Sequence, residues 1–407
     1  MTERPSLPPI RIAHISDTHL GYRGLNKVDP ETGRNQRTID VDDAFERAVT
    51  DILSRDVDLV IHSGDVFHHT RPTWHSLRLF IRQMRRIEQA GIPTVVIAGN
   101  HDTPRLRTGG SAYSVLDLAL PEIRFAADYE PVHIVEEPFA GMSLHIQAIP
   151  HGALTNPDPV APMVMPGRRN ILVCHGMVPG ILKPGQHTEA GEQELNTALL
   201  DSRFDYIALG HYHVPMQPAP KAWYAGSTER YGFGDWDVTP GYTLVTMGAP
   251  GEDVEVEHID LPARPMITLK PVYGGNGLLA RDISDRILEL LRDDSTPDAM
   301  VRVELRETER PVRREVESIL KRESEPFCWS LTIAQERTLF TPEPTTPTAD
   351  FDGVPDIRSL FKTFIAERTG VHYDAEFATR FLERGDQALV DAILAQETPE
   401  PEEAGTA

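Results

Sequence analysis

Five short apolar runs, each breaking off into a polar cluster, constrain this chain more than any other feature. Ile10–Ile15 runs into Asp17-Thr18-His19, and Asp58–His62 into Gly64-Asp65. Thr94–Ala98 precedes Gly99-Asn100-His101-Asp102, Asn170–Cys174 precedes His175-Gly176, and Asp205–Leu209 precedes Gly210-His211-Tyr212-His213. Short runs rich in Val, Ile and Leu, bounded by turn residues, read as buried strands. Helical patterns at Val41–Leu53 and Trp74–Ala90 lie between them, so the fold class is α/β. Ligands of such sheets bind at the carboxyl ends of the strands. Residues two apart on extended chain point the same way, so Asp17 and His19 can grip one ion. A single Asp-x-His or Asn-His-Asp marks nothing more than a turn, and a single histidine is more often a satisfied core residue. Five such clusters at strand ends point together to a metal centre.

Composition bounds the rest. The 407 residues are 40% hydrophobic, enough to bury a core and to form two or three domains. No apolar run approaches the ~20 residues of a membrane helix. The start, Met1 to Pro5, lacks the apolar stretch of a signal peptide. Cys174 and Cys328 are too few for a disulfide framework. The expectation is a soluble, cytoplasmic protein with no membrane contact. Net charge is −22, which by itself argues against a nucleic-acid partner. Yet the first 125 residues hold 16 basic and 16 acidic side chains, so the whole excess lies beyond them. Steering depends on local potential, and the N-terminal third need not repel a phosphate backbone.

Residues 1–262 read as one α/β domain. From 263 to 338 the pattern is strand, helix (Ile283–Leu291), strand (Met300–Leu305), helix (Val312–Lys321), strand (Phe327–Ile333), a second small α/β domain. Residues 339–355 are proline-rich and read as a linker. Residues 356–396 read as a helical pair broken at Gly370, with Phe361, Phe364, Phe377 and Phe381 at helical spacing. Residues 397–407 read as a disordered acidic tail.

In this order, DTH, GD, GNHD, CHG and GHYH resemble the calcineurin-like metallophosphoesterase superfamily over about residues 10–230. Within it, the GDVFHHTRP stretch, the small second domain and the C-terminal helices resemble the SbcD-type nuclease subunits of DNA double-strand-break repair. The resemblance implies a four-layer β-sandwich flanked by helices, with a small α/β capping domain and a C-terminal helical pair. It implies that Asp17, His19 and His213 hold one metal, that Asn100, His175 and His211 hold the other, and that Asp65 bridges them. Mixed nitrogen and oxygen donors without thiolate suit Mn, Fe or Zn better than Ca or Mg; the resemblance favours two Mn²⁺ ions. It further implies that His101, outside the ligand set, contacts the scissile phosphate, with Asp102 orienting its ring. His68, or its neighbour His69, would position the DNA phosphate; a plain histidine near a helix start is an equal reading. His14 and His62 read as structural, and Cys174 as a small buried hydrophobe.

In RPTWHSLRLFIRQMRRIE, residues 71–88, Arg78, Arg82, Arg85 and Arg86 fall at helical spacing, opposite Leu77, Phe80, Ile81 and Met84. The arginines read as a DNA-backbone contact or a solvated face, and the apolar stripe as core or as the homodimer seam that the resemblance implies. By resemblance the C-terminal helices dock on an SbcC-type coiled-coil ATPase; the alternative is docking on the chain's own body. The leading expectation is an exonuclease/endonuclease at DNA ends. A small-molecule phosphodiesterase, a phosphoprotein phosphatase and an inactive scaffold are the alternatives.

Overall fold

The computed structural model describes residues 7–181, 192–200, 203–275 and 277–335, with 361–363, 365–366, 379–382 and 384–386. The expected linker and acidic tail lie outside the described residues, as does most of the segment 356–396. The chain divides into two units, Met1–Glu336 and Arg337–Ala407.

The first unit holds three sheets. One combines β1 (Ile10–Ile15), β2 (Leu59–His62), β3 (Thr94–Ile97) and β4 (Ile123–Ala126). The second runs through β5 (Val132–Ile134), β6 (Leu144–Ile149), β7 (Arg169–His175), β8 (Tyr206–Gly210), β9 (Met216–Ala219) and β10 (Ala222–Tyr224). The chain then returns to the first sheet with β11 (Gly241–Met247) and β12 (Glu255–Asp260), giving the order β12-β11-β1-β2-β3-β4. β1 to β4 are parallel, and β11 closes on β1 antiparallel. The second sheet has the order β5-β6-β7-β8-β10-β9 and is parallel from β6 to β10.

Period-two alternation divides the core. Ile10 and Ile12 of β1, with Ile61 and Val95, meet Ile146, Val173 and Tyr206 of the second sheet. Ala13, Ile15, Val60 and Val96 face the other way, onto Phe45 and Val49 of α1 (Gln36–Leu53) and Phe80 and Met84 of α2 (Trp74–Gln89). α3 (Tyr113–Ala119) adds Leu116 to that layer. The far face of the second sheet is covered by the short α4 (His151–Leu154), the turn Thr197–Leu200 and loops. The layers are thus helices, sheet, sheet, and a thinner cover. Both faces of the central strands are buried, which is why they read as continuous apolar runs.

The third sheet is centred on β15 (Met300–Arg306), paired in parallel with β13 (Met266–Thr268), β14 (Val272–Tyr273) and β16 (Ser330–Gln335). α5 (Ala280–Asp294) and α6 (Arg310–Glu323) pack on it over a separate apolar core of Ile283, Ile287, Leu291, Val303 and Leu320. It meets the larger body through Arg264, whose guanidinium donates to both oxygens of Asp40 at 3.0 Å and lies 4.7 Å from the Trp329 ring centroid. Lys27 donates to the Trp329 carbonyl.

In the second unit, the Phe361 ring lies 5.9 Å from Phe381 and against Gly385, and Lys362 pairs with Asp386 at 3.4 Å. Phe381 remains 46% exposed; Phe364 and Phe377 lie outside the described residues. No helix among the described residues is long and apolar enough to cross a membrane.

Candidate metal centre

The sheet edges of β1 and β2 continue as paired loops. The Asp17 N–H donates to the Gly64 carbonyl at 3.0 Å, His19 to Asp65 at 3.0 Å and Leu20 to Val66 at 2.9 Å. The loops turn sharply: Asp17, His19, Asp65 and His211 hold φ of 49°, 41°, 52° and 117°. Such left-handed values are uncommon outside glycine and mark functional strain. Glycine lets the loops close in. A Cβ on Gly64, itself at φ 103°, would stand 2.4 Å from His175 Nδ1, and one on Gly210 would stand 2.2 Å from Ser16 Oγ.

All seven expected ligands converge. His19 Nε2 lies 3.2 Å from His213 Nε2 and 3.6 Å from Asp65 Oδ2. His175 Nε2 lies 3.3 Å from the same Asp65 oxygen and 3.0 Å from Asn100 Oδ1. His211 Nδ1 lies 3.3 Å from Asn100 Oδ1, and the His211 N–H donates to Asp17 Oδ1 and Oδ2 at 3.1 Å. Two groups of donors therefore meet at Asp65. Donor atoms side by side on one ion with bonds of about 2.1 Å stand about 3 Å apart, and the spacings found here, 3.0–3.6 Å, suit that requirement. Asp17, His19 and His213 bring ligand atoms within 4.8 Å of one another, as do Asp17, Asp65 and His175. The residues fit divalent cations, with nitrogen and oxygen donors only.

Electrostatics agree. Burial works to raise the Asp65 carboxyl, but His175, His19 and His101 around it hold it well below the usual range. Burial likewise disfavours charge on His175, yet Asp65 and Asp17 overcome it and push the ring up to about 9. The Asp65 carboxylate thus stays ionised, as a ligand must. Cys174, beside His175, is pushed by burial to about 12 and is an inert core thiol. His14, bonded to Tyr206 and Ser63 at 2.8 Å, and His62, bonded to Thr18 at 3.0 Å, are buried structural residues.

His101 stands at the mouth of the centre. Its N–H donates to Asp65 Oδ1 at 2.9 Å, and its Nδ1 meets the His68 carbonyl at 3.0 Å. The His68 ring stacks on His101 at 5.2 Å between centroids, and its Nδ1 is 3.4 Å from His19 Nδ1. His19, His68 and His101 also bring ring nitrogens within 4.8 Å. His69 packs on His68 at 4.6 Å. The expected role of Asp102 needs correction. Its buried carboxylate accepts from the N–H groups of Val66 (3.0 Å), Phe67 (2.9 Å) and Gly99 (3.1 Å) and from the Tyr113 hydroxyl (2.9 Å). It ties the GD loop to the GNHD loop, and it is the His68 carbonyl that accepts the hydrogen bond from His101 Nδ1.

Three residues missed in the sequence stand behind the expected ligands. Asp235 Oδ2 lies 3.3 Å from His213 Nδ1 and accepts the Tyr231 N–H at 3.1 Å. Glu192 Oε1 lies 3.4 Å from His211 Nε2. The Tyr231 hydroxyl donates to the Asp17 carbonyl at 2.7 Å while its ring packs against His19 and His213. Carboxylates behind ligating histidines fix ring orientation and tautomer. Asp235 and Glu192 lie on loops, where no periodicity announces a side chain.

The basic helix is largely engaged. Arg82 pairs with Glu46, Arg86 donates to Gln83 and Thr50, and Arg85 donates to the Ala119 carbonyl. Phe80 and Met84 are buried in the core, whereas Trp74 at the helix start is 87% exposed.

Residues 10–215 match the family described as calcineurin-like phosphoesterase, and the chain belongs to it. Among relatives, DNA double-strand break repair protein Mre11 of Haloferax volcanii is 33% identical over 303 residues, 73% of this chain and 61% of that protein. The Saccharolobus solfataricus protein of the same name is 30% identical over 209 residues, half of each chain. That of Thermoplasma acidophilum is 28% identical over 303 residues, 72% of this chain and 76% of the relative. The chain thus spans only 61% and 50% of the first two relatives.

Proposed function

We propose that this chain is a metal-dependent DNA nuclease that hydrolyses phosphodiester bonds at double-strand ends, in the cytoplasm, with an SbcC-type ATPase. The observation that carries this reading is the convergence around Asp65 of candidate donors from four other strand ends, in a chain similar to Mre11 repair proteins over most of its length. Asp17, His19, Asp65 and His213 would hold one ion and Asp65, Asn100, His175 and His211 the other, with Mn²⁺ favoured. Bound divalent ions supply Lewis acidity and positive charge to a phosphodiester and its attacking water.

The chain's own groups do the rest. A carbonyl can only accept, so the His68 contact keeps the proton on His101 Nδ1, and the ring so oriented would act as acid or base toward the substrate. His68, stacked on that ring, holds its plane and borders the phosphate path. The third sheet and its helices would act as the cap that limits which ends enter. Trp74 on α2 and Val115 and Leu118 on α3, large apolar side chains left exposed, support a homodimer. Partner docking would fall to residues 356–396.

The test is purified full chain with Mn²⁺, given labelled duplex and single-stranded DNA beside bis(p-nitrophenyl) phosphate and cyclic nucleotides. DNA degradation supports the reading. Turnover of the small esters with intact DNA removes it in favour of a small-molecule phosphodiesterase. For the partner, deletion of residues 341–407 should abolish co-purification with the ATPase and leave basal cleavage.

A further inference from the structure

A cleft of about 420 Å³ opens from the metal centre at Asn100 and His101 and runs outward between Arg105, Arg107 and Tyr129. Its size is that of a small-ligand site. Among the described residues, the lining includes two arginines and four histidines and not one carboxylate.

The far wall is built in advance. The Arg107 guanidinium lies 4.3 Å from the Tyr129 ring centroid and donates to Asn156 Oδ1 at 2.6 Å. Asn156 donates in turn to the Tyr129 carbonyl at 2.7 Å, and the Tyr129 hydroxyl donates to the Pro104 carbonyl at 3.0 Å. Gly152 allows this closure, since a Cβ there would stand 3.0 Å from the Tyr129 ring and 2.6 Å from the Asp128 carbonyl. Ordering a cation beforehand lowers the cost of ligand binding. A guanidinium on an aromatic face offers both bidentate phosphate contacts and a plane for stacking.

We propose that this cleft is a subsite for the nucleotide next to the scissile bond, its flanking phosphate held by Arg105 and Arg107. The inference rests on the nuclease reading above and extends it. A simple phosphodiester fills only the metal centre, whereas a polynucleotide reaches the cleft as well. The subsite thereby distinguishes a nucleic-acid strand from a small ester that the same centre hydrolyses.

The experiment compares two substrates on the full chain with Mn²⁺: a labelled oligonucleotide and bis(p-nitrophenyl) phosphate. Arg105→Ala and Arg107→Ala should each lower kcat/KM on the oligonucleotide about tenfold, through KM, and reduce the dependence of log KM on log salt by about one. Turnover of the small ester should stay within about twofold, and Arg107→Lys should restore only part of the loss. Equal losses on both substrates, or none on either, would overturn the subsite while leaving the nuclease reading in place. A wild-type chain that turns over the small ester but leaves the oligonucleotide intact removes that reading, and the subsite with it.

Discussion

Gly99 passes so close to Asp65 that a Cβ added to it would stand 2.1 Å from Oδ1 and 2.4 Å from the Asp65 backbone nitrogen. Neither neighbour is a flexible side-chain end that can step aside, because Asp65 is fully buried and holds the His101 N–H. Gly99→Ala should therefore cost about 1–3 kcal/mol of stability and shift the carboxylate shared by the two donor groups. Elemental analysis should show metal loss together with lost ester hydrolysis; a variant with full metal content would show that the loop yields.

His101 and Asp102 should separate cleanly on mutation. His101→Ala should lower turnover by about 10²–10⁴-fold with metal content unchanged; metal loss would make the ring a ligand. Asp102→Ala strands three buried N–H groups and the Tyr113 hydroxyl, at about 1–3 kcal/mol for each unsatisfied group. Urea denaturation should show a large stability loss for Asp102→Ala and little for His101→Ala.

Asp235 and Glu192 should act through metal affinity. Asp235→Asn and Glu192→Gln should each weaken binding of one ion by about 10–100-fold, read by calorimetry with Mn²⁺. Metal-free melting temperatures should hardly move. Unchanged affinity for both ions in both variants would remove the positioning role.

His14 gives a pH signature. Burial, aided by His62, lowers its ring from 6.5 to about 3, so the unfolded chain takes up the proton first. The contribution is full above pH 6.5 and is lost as pH falls toward 3. At pH 5 the loss is about 2 kcal/mol from this residue. Denaturant midpoints should drop over that range in the wild type, and His14→Gln should flatten part of the slope.

The central parallel strands of both large sheets are legible in the sequence because they are buried on both faces. Ile10–Ile15 was read with its observed ends, and the four other runs to within one residue at each end. β11 was not: its polar threonines interrupt the apolar run, and its pairing with β1 joins Ile10 to Met247, a contact without local signal. The convergence of these side chains is legible because imidazoles and carboxylates at strand ends have no packing role to explain them. Asp102 misled because neighbours in sequence suggest neighbours in space, whereas on this turn its carboxylate lies against the GD loop. The apolar stripe of α2 was ambiguous by sequence; burial of Phe80 and Met84 assigns it to the core.

Asp17, His19, Asp65 and His211 keep a backbone twist that glycine would adopt with ease. Substituting glycine at any of them relaxes the chain and deletes a donor in the same stroke. The strain of these turns is thus stored in the very residues that supply the candidate donors, and at Asp17 and Asp65 the side chain offsets part of it by accepting the N–H of His211 and of His101.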